Sequence, residues 1–202
     1  MDRPIDREGA ARAVEEFLRA LGHEPEGPLA DTGKLVADAW ADELLSGDQL
    51  DAAAILGQSS FDIGEVGGAD GDGGLVVLRD LTVALMCPHH LLPAFGRADV
   101  LYLPTEQVAG LGAIAQALRA QTRRLILQEQ AGAHMAQLLV DQLGARGAAC
   151  RLRLTHTCLV TRGARETEAL VETVALRGSF ADPGPDRDLA LSALAAGPPQ
   201  EE

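Results

Sequence analysis

Lysine is almost missing from this chain. Lys34 stands alone beside sixteen arginines, against 30 aspartates and glutamates, and the formal net charge is -13. A surface of that sign repels phosphate backbones and anionic headgroups, which argues against nucleic acid and membrane as partners. It also works against polyanionic substrates unless positive charge is gathered locally. No run reaches the ~18 apolar residues of a membrane span. The opening Met1-Asp2-Arg3-Pro4 has no apolar stretch of the signal-peptide kind, so the chain reads as cytoplasmic. Cysteine is scarce too: Cys87, Cys150 and Cys158 are too few for a disulfide framework and read as reduced thiols.

What is present suffices for one well-filled domain with an extra helical segment, since 202 residues are 47% hydrophobic. Residues 6 to 21 place Ala10, Ala13, Val14, Phe17, Leu18 and Leu21 at helical spacing and stop at Gly22. A second helix begins at an Asp31 or Thr32 cap and is expected to bury Leu35, Val36, Ala39, Trp40 and Leu44. A polar stretch from Gly57 to Gly74, with Asp-Gly-Asp-Gly-Gly at 70 to 74, reads as a solvated loop. Strands are predicted over 75–86, 97–103, 148–161 and 168–178, with helices over 107–119 and 122–143 between the pairs. This order predicts an α+β fold, an antiparallel four-stranded sheet covered by two helices on one face. Bare sheet edges favour continuation of the sheet into other copies, hence a homo-oligomer. The implied divisions are 1–56 (helical segment), 57–74 (Gly-rich linker), 75–182 (catalytic domain) and 183–202 (tail), with 197–202 read as a disordered end.

Two strings carry the chemistry, Met86-Cys87-Pro88-His89-His90 and Thr155-His156-Thr157-Cys158. Two thiolates and an imidazole, from Cys87, Cys158 and His90, suit Zn²⁺, and three protein ligands leave a fourth position for a water whose pKa falls toward ~7. A structural zinc would want a fourth ligand. Cys150 to Val160 alternate as a half-buried strand would, putting His156 one step, about 6.6 to 6.8 Å, from Cys158 on the same face. His156 is therefore expected to act on something bound to the metal. Cys150 lies about 27 Å back along such a strand and reads as a core thiol.

Taken together, Cys87-x-His89-His90-Leu91-Leu92-Pro93, Tyr102-Leu103-Pro104, Gly110-Leu111, Arg124-Leu125-x-x-Gln128-Glu129, Thr155-His156-x-Cys158 and Arg162-Gly163 resemble GTP cyclohydrolase I from about Asp31 to Phe180. The resemblance implies the tunnelling fold, in which sheets of neighbouring subunits join into a barrel, and a homodecamer with sites between subunits. It implies zinc held by Cys87, His90 and Cys158, with His89 beside the metal and His156 as proton carrier. It implies substrate contacts from Glu129, Gln128 and Arg162. A carboxylate at Glu129 suits guanine, whose N1–H and N2–H donors share one edge. The implied reaction is attack of zinc-bound hydroxide on purine C8, ring opening and release of formate.

The chain departs from that family at the triphosphate. Where the family has basic residues, this sequence has Leu35, Ala113 and Gln116, and only Arg162 stays in place. Each charge-assisted hydrogen bond contributes roughly 1.5 to 3 kcal/mol, so three absences weaken triphosphate binding by roughly 10³ to 10⁶. The expectation is a divergent member acting on a purine-like or other amidine-containing heterocycle without a triphosphate. Two alternatives stand beside it. One is an ordinary GTP cyclohydrolase I with phosphate contacts relocated to Arg123, Arg124 or Arg165, and the other a silent zinc-binding paralogue. A nucleobase deaminase is excluded, because its His-x-Glu and Cys-x-x-Cys strings are missing.

Overall fold

The structure is a computed structural model, and it describes residues 4–66 and 74–196. Helix α1 (Arg7–Ala20) starts at Asp6, whose carboxylate accepts from the Gly9 N–H, and α2 (Thr32–Ala39) runs into a π-helical turn, Trp40–Leu44. These two helices pack on each other so closely that a Cβ on Gly33 would lie 2.7 Å from the Ala11 carbonyl oxygen. No residue of α1 is buried, and Phe17 remains 63% exposed. On the second helix the expected burial of Leu35, Val36, Ala39, Trp40 and Leu44 is not met, because the small residues Gly33, Ala37 and Ala41 take the packed face and Leu35 points out to solvent. A 3₁₀ turn (Ser46–Gln49) and α3 (Ala52–Gly57) follow.

The stretch read as a linker holds structure at its start: strand β1 (Ser60–Asp62) and a short helix α4 (Ile63–Val66). Residues 67–73, and with them most of the Asp-Gly run, lie outside the described residues. The main sheet is antiparallel, in the order β2 (Val76–Met86), β3 (Pro93–Leu103), β5 (Gly147–His156), β6 (Val171–Gly178). A separate short strand β4 (Gln107–Ala109) pairs with β1. Helices α5 (Leu111–Thr122) and α6 (Gln128–Leu143) cover one face of the main sheet. That core is aliphatic, with Ile114, Leu118, Met135, Leu139, Leu152 and Leu154 among its fully buried side chains. The four-stranded α+β arrangement matches the one read from periodicity.

The strand expected over 97–103 begins earlier, at Pro93, and the one expected from 168 begins at Val171. Four further boundaries differ, each for a local reason. The helix expected from 107 starts at Leu111, because 107–109 are taken by β4. The helix expected from 122 starts at Gln128, because Arg124 to Ile126 run beside the end of β2: Met86 N–H donates to the Arg124 carbonyl (3.0 Å) and Ile126 N–H to the Met86 carbonyl (3.2 Å). The strand expected to reach 161 stops at His156, and Thr157–Val160 form a helical turn, α7. Position 157 would face Pro93, which has no N–H for the ladder, and Thr157 Oγ1 donates to the Pro93 carbonyl instead (2.6 Å). Finally, the stretch read as a tail forms α8 (Pro185–Ala195), while 197–202 lie outside the described residues.

Helix α8 covers part of the sheet face opposite α5 and α6. Leu101, Leu103, Ala149 and Phe180 meet Ala190 and Leu194 there in a second apolar cluster. Next to it, Asp99 and Arg151 are paired across β3 and β5 and almost wholly buried. Arg151 Nη1 also donates to the Leu194 carbonyl (2.7 Å), and Arg79 Nη2 to that of Ala193 (2.7 Å), so two arginines cap the end of α8. The second Asp99 oxygen accepts from the Asp80 N–H (3.0 Å), which is offered by a bulge in β2 where Asp80 has φ 53°.

Removing one member of a buried ion pair strands the other, at about 3 to 5 kcal/mol, whereas an apolar replacement of both is near neutral. Asp99→Leu should therefore lower stability by about that amount in urea melts, and Asp99→Leu with Arg151→Leu should recover most of it. A double variant as unstable as the sum of the two singles would show that the pair is not coupled.

Candidate metal centre and active site

The site strings converge at one end of the sheet because of its register. Strand β2 ends at Met86, paired with Pro93, and the six residues between them form a tight connection. There Cys87 N–H donates to the Leu92 carbonyl (3.0 Å), Leu91 N–H donates to the Cys87 carbonyl (2.9 Å), and Leu91 takes the left-handed φ of 53°. This turn holds Cys87 and His90 on one side. The last pair of β3 and β5 is Ala94 with His156, so the chain leaves β5 directly beside that turn. Cys158 follows on α7.

Sγ of Cys87, a ring nitrogen of His90 and Sγ of Cys158 all lie within 4.8 Å of one another. Nδ1 of His90 is 3.8 Å from the Cys87 sulfur. Tetrahedral Zn²⁺ with bonds near 2.3 Å to sulfur and 2.0 Å to nitrogen sets its donors about 3.5 to 3.8 Å apart, so the donor set and its spacing fit that ion. Cys87 is buried, Cys158 half-buried and His90 exposed, which leaves the cluster open on the histidine side. Burial and the neighbouring Cys87 thiol push the Cys158 thiol up, and a cation between the two sulfurs would relieve both effects. Nδ1 is the His90 nitrogen that faces the Cys87 thiol, and Nε2 lies against the Arg162 guanidinium. For Nδ1 to hold a metal the ring proton must sit on Nε2, so the Arg162 contact belongs to the metal-free form and is released when a metal binds.

His89 is exposed and stands edge-on to His90, ring centroids 6.3 Å apart. His156 lies two residues before Cys158 and is half-buried. Burial lowers its pKa, opposed by the charge of Glu129. The exposed Glu129 sits in the first turn of α6. Gln128, one residue earlier, is 2% exposed. Its Nε2 lies within hydrogen-bond reach of the Leu152 carbonyl (3.1 Å), the Val171 carbonyl (3.0 Å) and Thr173 Oγ1 (3.1 Å), and its Oε1 is 2.7 Å from His156 Nε2. Two carbonyl acceptors fix which end of the amide is nitrogen, so Oε1 accepts and His156 Nε2 carries the proton. The free lone pair of the imidazole is then on Nδ1. This link between Gln128 and His156 has no signal in the sequence, because it depends on α6 beginning where Arg124 to Ile126 leave Met86. Cys150 is a buried core thiol as expected, pushed up to about 12 by burial.

Residues 10–194 match the family model for GTP cyclohydrolase I. The chain belongs to that family. Among curated proteins it is similar to the GTP cyclohydrolase 1 of Leifsonia xyli subsp. xyli, 38% identical over 92% of this chain and 94% of that protein. It is also similar to the GTP cyclohydrolase 1 of Wolinella succinogenes, at 35% over 89% and 90%, and to that of Streptococcus agalactiae serotype Ia, at 31% over 95% and 99%. GTP cyclohydrolase I is a family of hydrolases acting on carbon–nitrogen bonds, and the sheet and its two covering helices are consistent with its tunnelling fold. Among the described residues, no helix is long and apolar enough to cross a membrane.

The thiols should separate by accessibility. In metal-free native protein, a disulfide reagent such as DTNB should react first with Cys158, then with Cys87, and not with Cys150 until the chain is unfolded. One equivalent of Zn²⁺ should protect both reactive thiols, and Cys158→Ser should abolish that protection. Equal labelling of Cys87 with and without zinc would remove it from the ligand set.

Proposed function

We propose that this chain is a zinc-dependent GTP cyclohydrolase, opening the imidazole ring of GTP at C8 and releasing formate. The observation that carries this reading is the three-donor cluster of Cys87, His90 and Cys158, with His156 two residues from one thiol and its tautomer fixed. The names of the curated relatives, GTP cyclohydrolase 1 over nearly the whole of both chains, support the same substrate.

Cys87, His90 and Cys158 hold the zinc, and the ion when bound supplies a polarised water at neutral pH. Gln128 acts through His156: it keeps the proton on Nε2, so that Nδ1 is free to take a proton and return it to the departing ring nitrogen. Glu129 accepts from N1–H and N2–H of guanine and fixes the orientation of the base. Arg162 offers its guanidinium to a phosphate oxygen, and His89, exposed beside His90, donates to the substrate at the open side of the cluster. The acting form is a homo-oligomer, with the open edges of β2 and β6 paired between copies; a decamer with barrel-joined sheets is the assembly the family likeness implies.

A second reading, a purine-like or other amidine-containing heterocycle without a triphosphate, is favoured by one observation. Ala113 is buried and Gln116 uncharged at the two helix positions where the family likeness puts cations, and Leu35 is 62% exposed with no charge to offer. Purified protein with GTP, guanosine and a formate assay decides between them. Under the first reading kcat/KM for GTP should exceed that for guanosine by more than about 10³, a gap of roughly 4 kcal/mol. Near-equal values would install the second reading, and absence of formate from both would overturn the cyclohydrolase assignment.

His156→Ala should keep its zinc and its fold while losing about 10² to 10⁴ in turnover. Loss of zinc from that variant would make His156 a ligand instead of a proton carrier.

A further inference from the structure

Beside β2, away from the metal cluster, lies a cavity of about 360 Å³ whose lining includes Gln116, Arg119 and Arg123 of α5 and its end, Thr82 of β2, and Glu43 of the turn after α2. Gln116, Arg119 and Arg123 are spaced three and four apart and so form one stripe. The wall opposite that stripe is held by Gly47. Its N–H donates to the Arg123 carbonyl (2.9 Å), and a Cβ there would lie 2.7 Å from the same oxygen and 2.8 Å from that of Ala120. Any side chain would push Glu43 and Ser46 away and open the cavity.

Arg119 and Arg123, like Arg165, differ from most of the described cations. In a protein with 30 acidic residues, neither makes a side-chain hydrogen bond or an ion pair with any described residue. Their neighbour Arg124 is fully engaged, by the Ala120 carbonyl, the Gly47 carbonyl (2.7 Å) and Asp48 (3.7 Å). Two unpaired guanidinium groups at the carbonyl end of a helix have an ordinary role in opposing its dipole. Here the end carbonyls are already met by the Gly47 N–H and Arg124 Nε, which leaves the charge of the other two for the cavity. Thr82 Oγ1 accepts from Arg97 (2.8 Å), so its own proton is available to an acceptor. Glu43 is the one acid in the lining.

We propose that this cavity receives the phosphate chain of the nucleotide, with Arg119 and Arg123 in the part that Ala113 and Gln116 cannot play. The inference rests on the reading of the substrate as GTP. Its place suits that part: the Arg124 carbonyl bonds the N–H of Met86, next to Cys87, and Thr82 is four residues, about 13 Å, further along β2. A basic tail site one helical turn and more along α5 would reconcile a GTP-using relative with the absence of cations at 35, 113 and 116.

Calorimetry on the full chain with zinc would compare GTP, guanosine and inorganic tripolyphosphate. The expected results are GTP bound more tightly than guanosine, tripolyphosphate bound with an affinity that falls as salt rises, and at least ~10-fold weaker binding of both phosphate compounds in Arg119→Gln and in Arg123→Gln. Guanosine binding should not change in either variant. Glu43→Gln should move the other way and tighten both, which separates charge from misfolding. A GTP preference that survives both arginine replacements, or tripolyphosphate binding indifferent to all three, overturns the proposal, and so does GTP bound no better than guanosine. Formate release is scored separately: intact phosphate binding without formate from GTP would sink the cyclohydrolase reading and leave the cavity's role standing.

Discussion

The side-chain amide of Gln128 joins three elements at the end of the sheet that carries the Cys87, His90 and Cys158 cluster. Its nitrogen meets the carbonyls of β5 and β6, and its oxygen meets His156 where β5 ends. Burial makes this bond set hard to vary, since an unmet amide group in that position costs about 1 to 3 kcal/mol. The first residue of α6 is thereby fixed against the sheet. Glu129, one position on, inherits its place from that contact, and so does the imidazole. A change that shifted α6 by one residue would misplace the His156 imidazole and the Glu129 carboxylate together.

Much of this arrangement was legible in the sequence. The spacing within Cys87-Pro88-His89-His90 and the cysteine at 158 named a three-donor zinc site, and the structure brings those donors together. Alternation read the sheet well, and the burial of Cys150 followed from it. The same alternation misled at 157 to 161, where periodicity ran on past the ladder. Strand pairing ends when the partner runs out of donors, and Pro93 ends it; nothing within residues 150 to 160 announces that. The start of α6 was missed for a similar reason, since Arg124 to Ile126 are helix-competent and are drawn out only by hydrogen bonds to Met86.

Charge behaves here as a matter of placement more than of total. Most of the described arginines are tied to carboxylates or to carbonyls, several of them on the sheet face that carries Asp80 and Asp99. A net charge of -13 therefore coexists with local groupings of guanidinium side chains. Reading composition alone predicts weak attraction for any anion, whereas the stripe on α5 sets two guanidinium groups side by side with no carboxylate paired to either among the described residues. The scarcity of lysine fits this arrangement, because guanidinium groups can serve a carboxylate and a carbonyl at once, as Arg151 does.

The capping of α8 by Arg79 and Arg151 bears on how the protein is made. Helix α8 leaves the ribosome after every strand of the sheet. Until it arrives, the apolar cluster around Leu101 and Ala149 is uncovered, and Arg151 lacks the Leu194 carbonyl. A nascent chain carrying all four strands would thus expose a sheet with one sticky face, the kind of intermediate that aggregates. Synthesis rate through residues 180 to 195, and chaperone occupancy of that face, would govern soluble yield more than the final stability of the folded protein does.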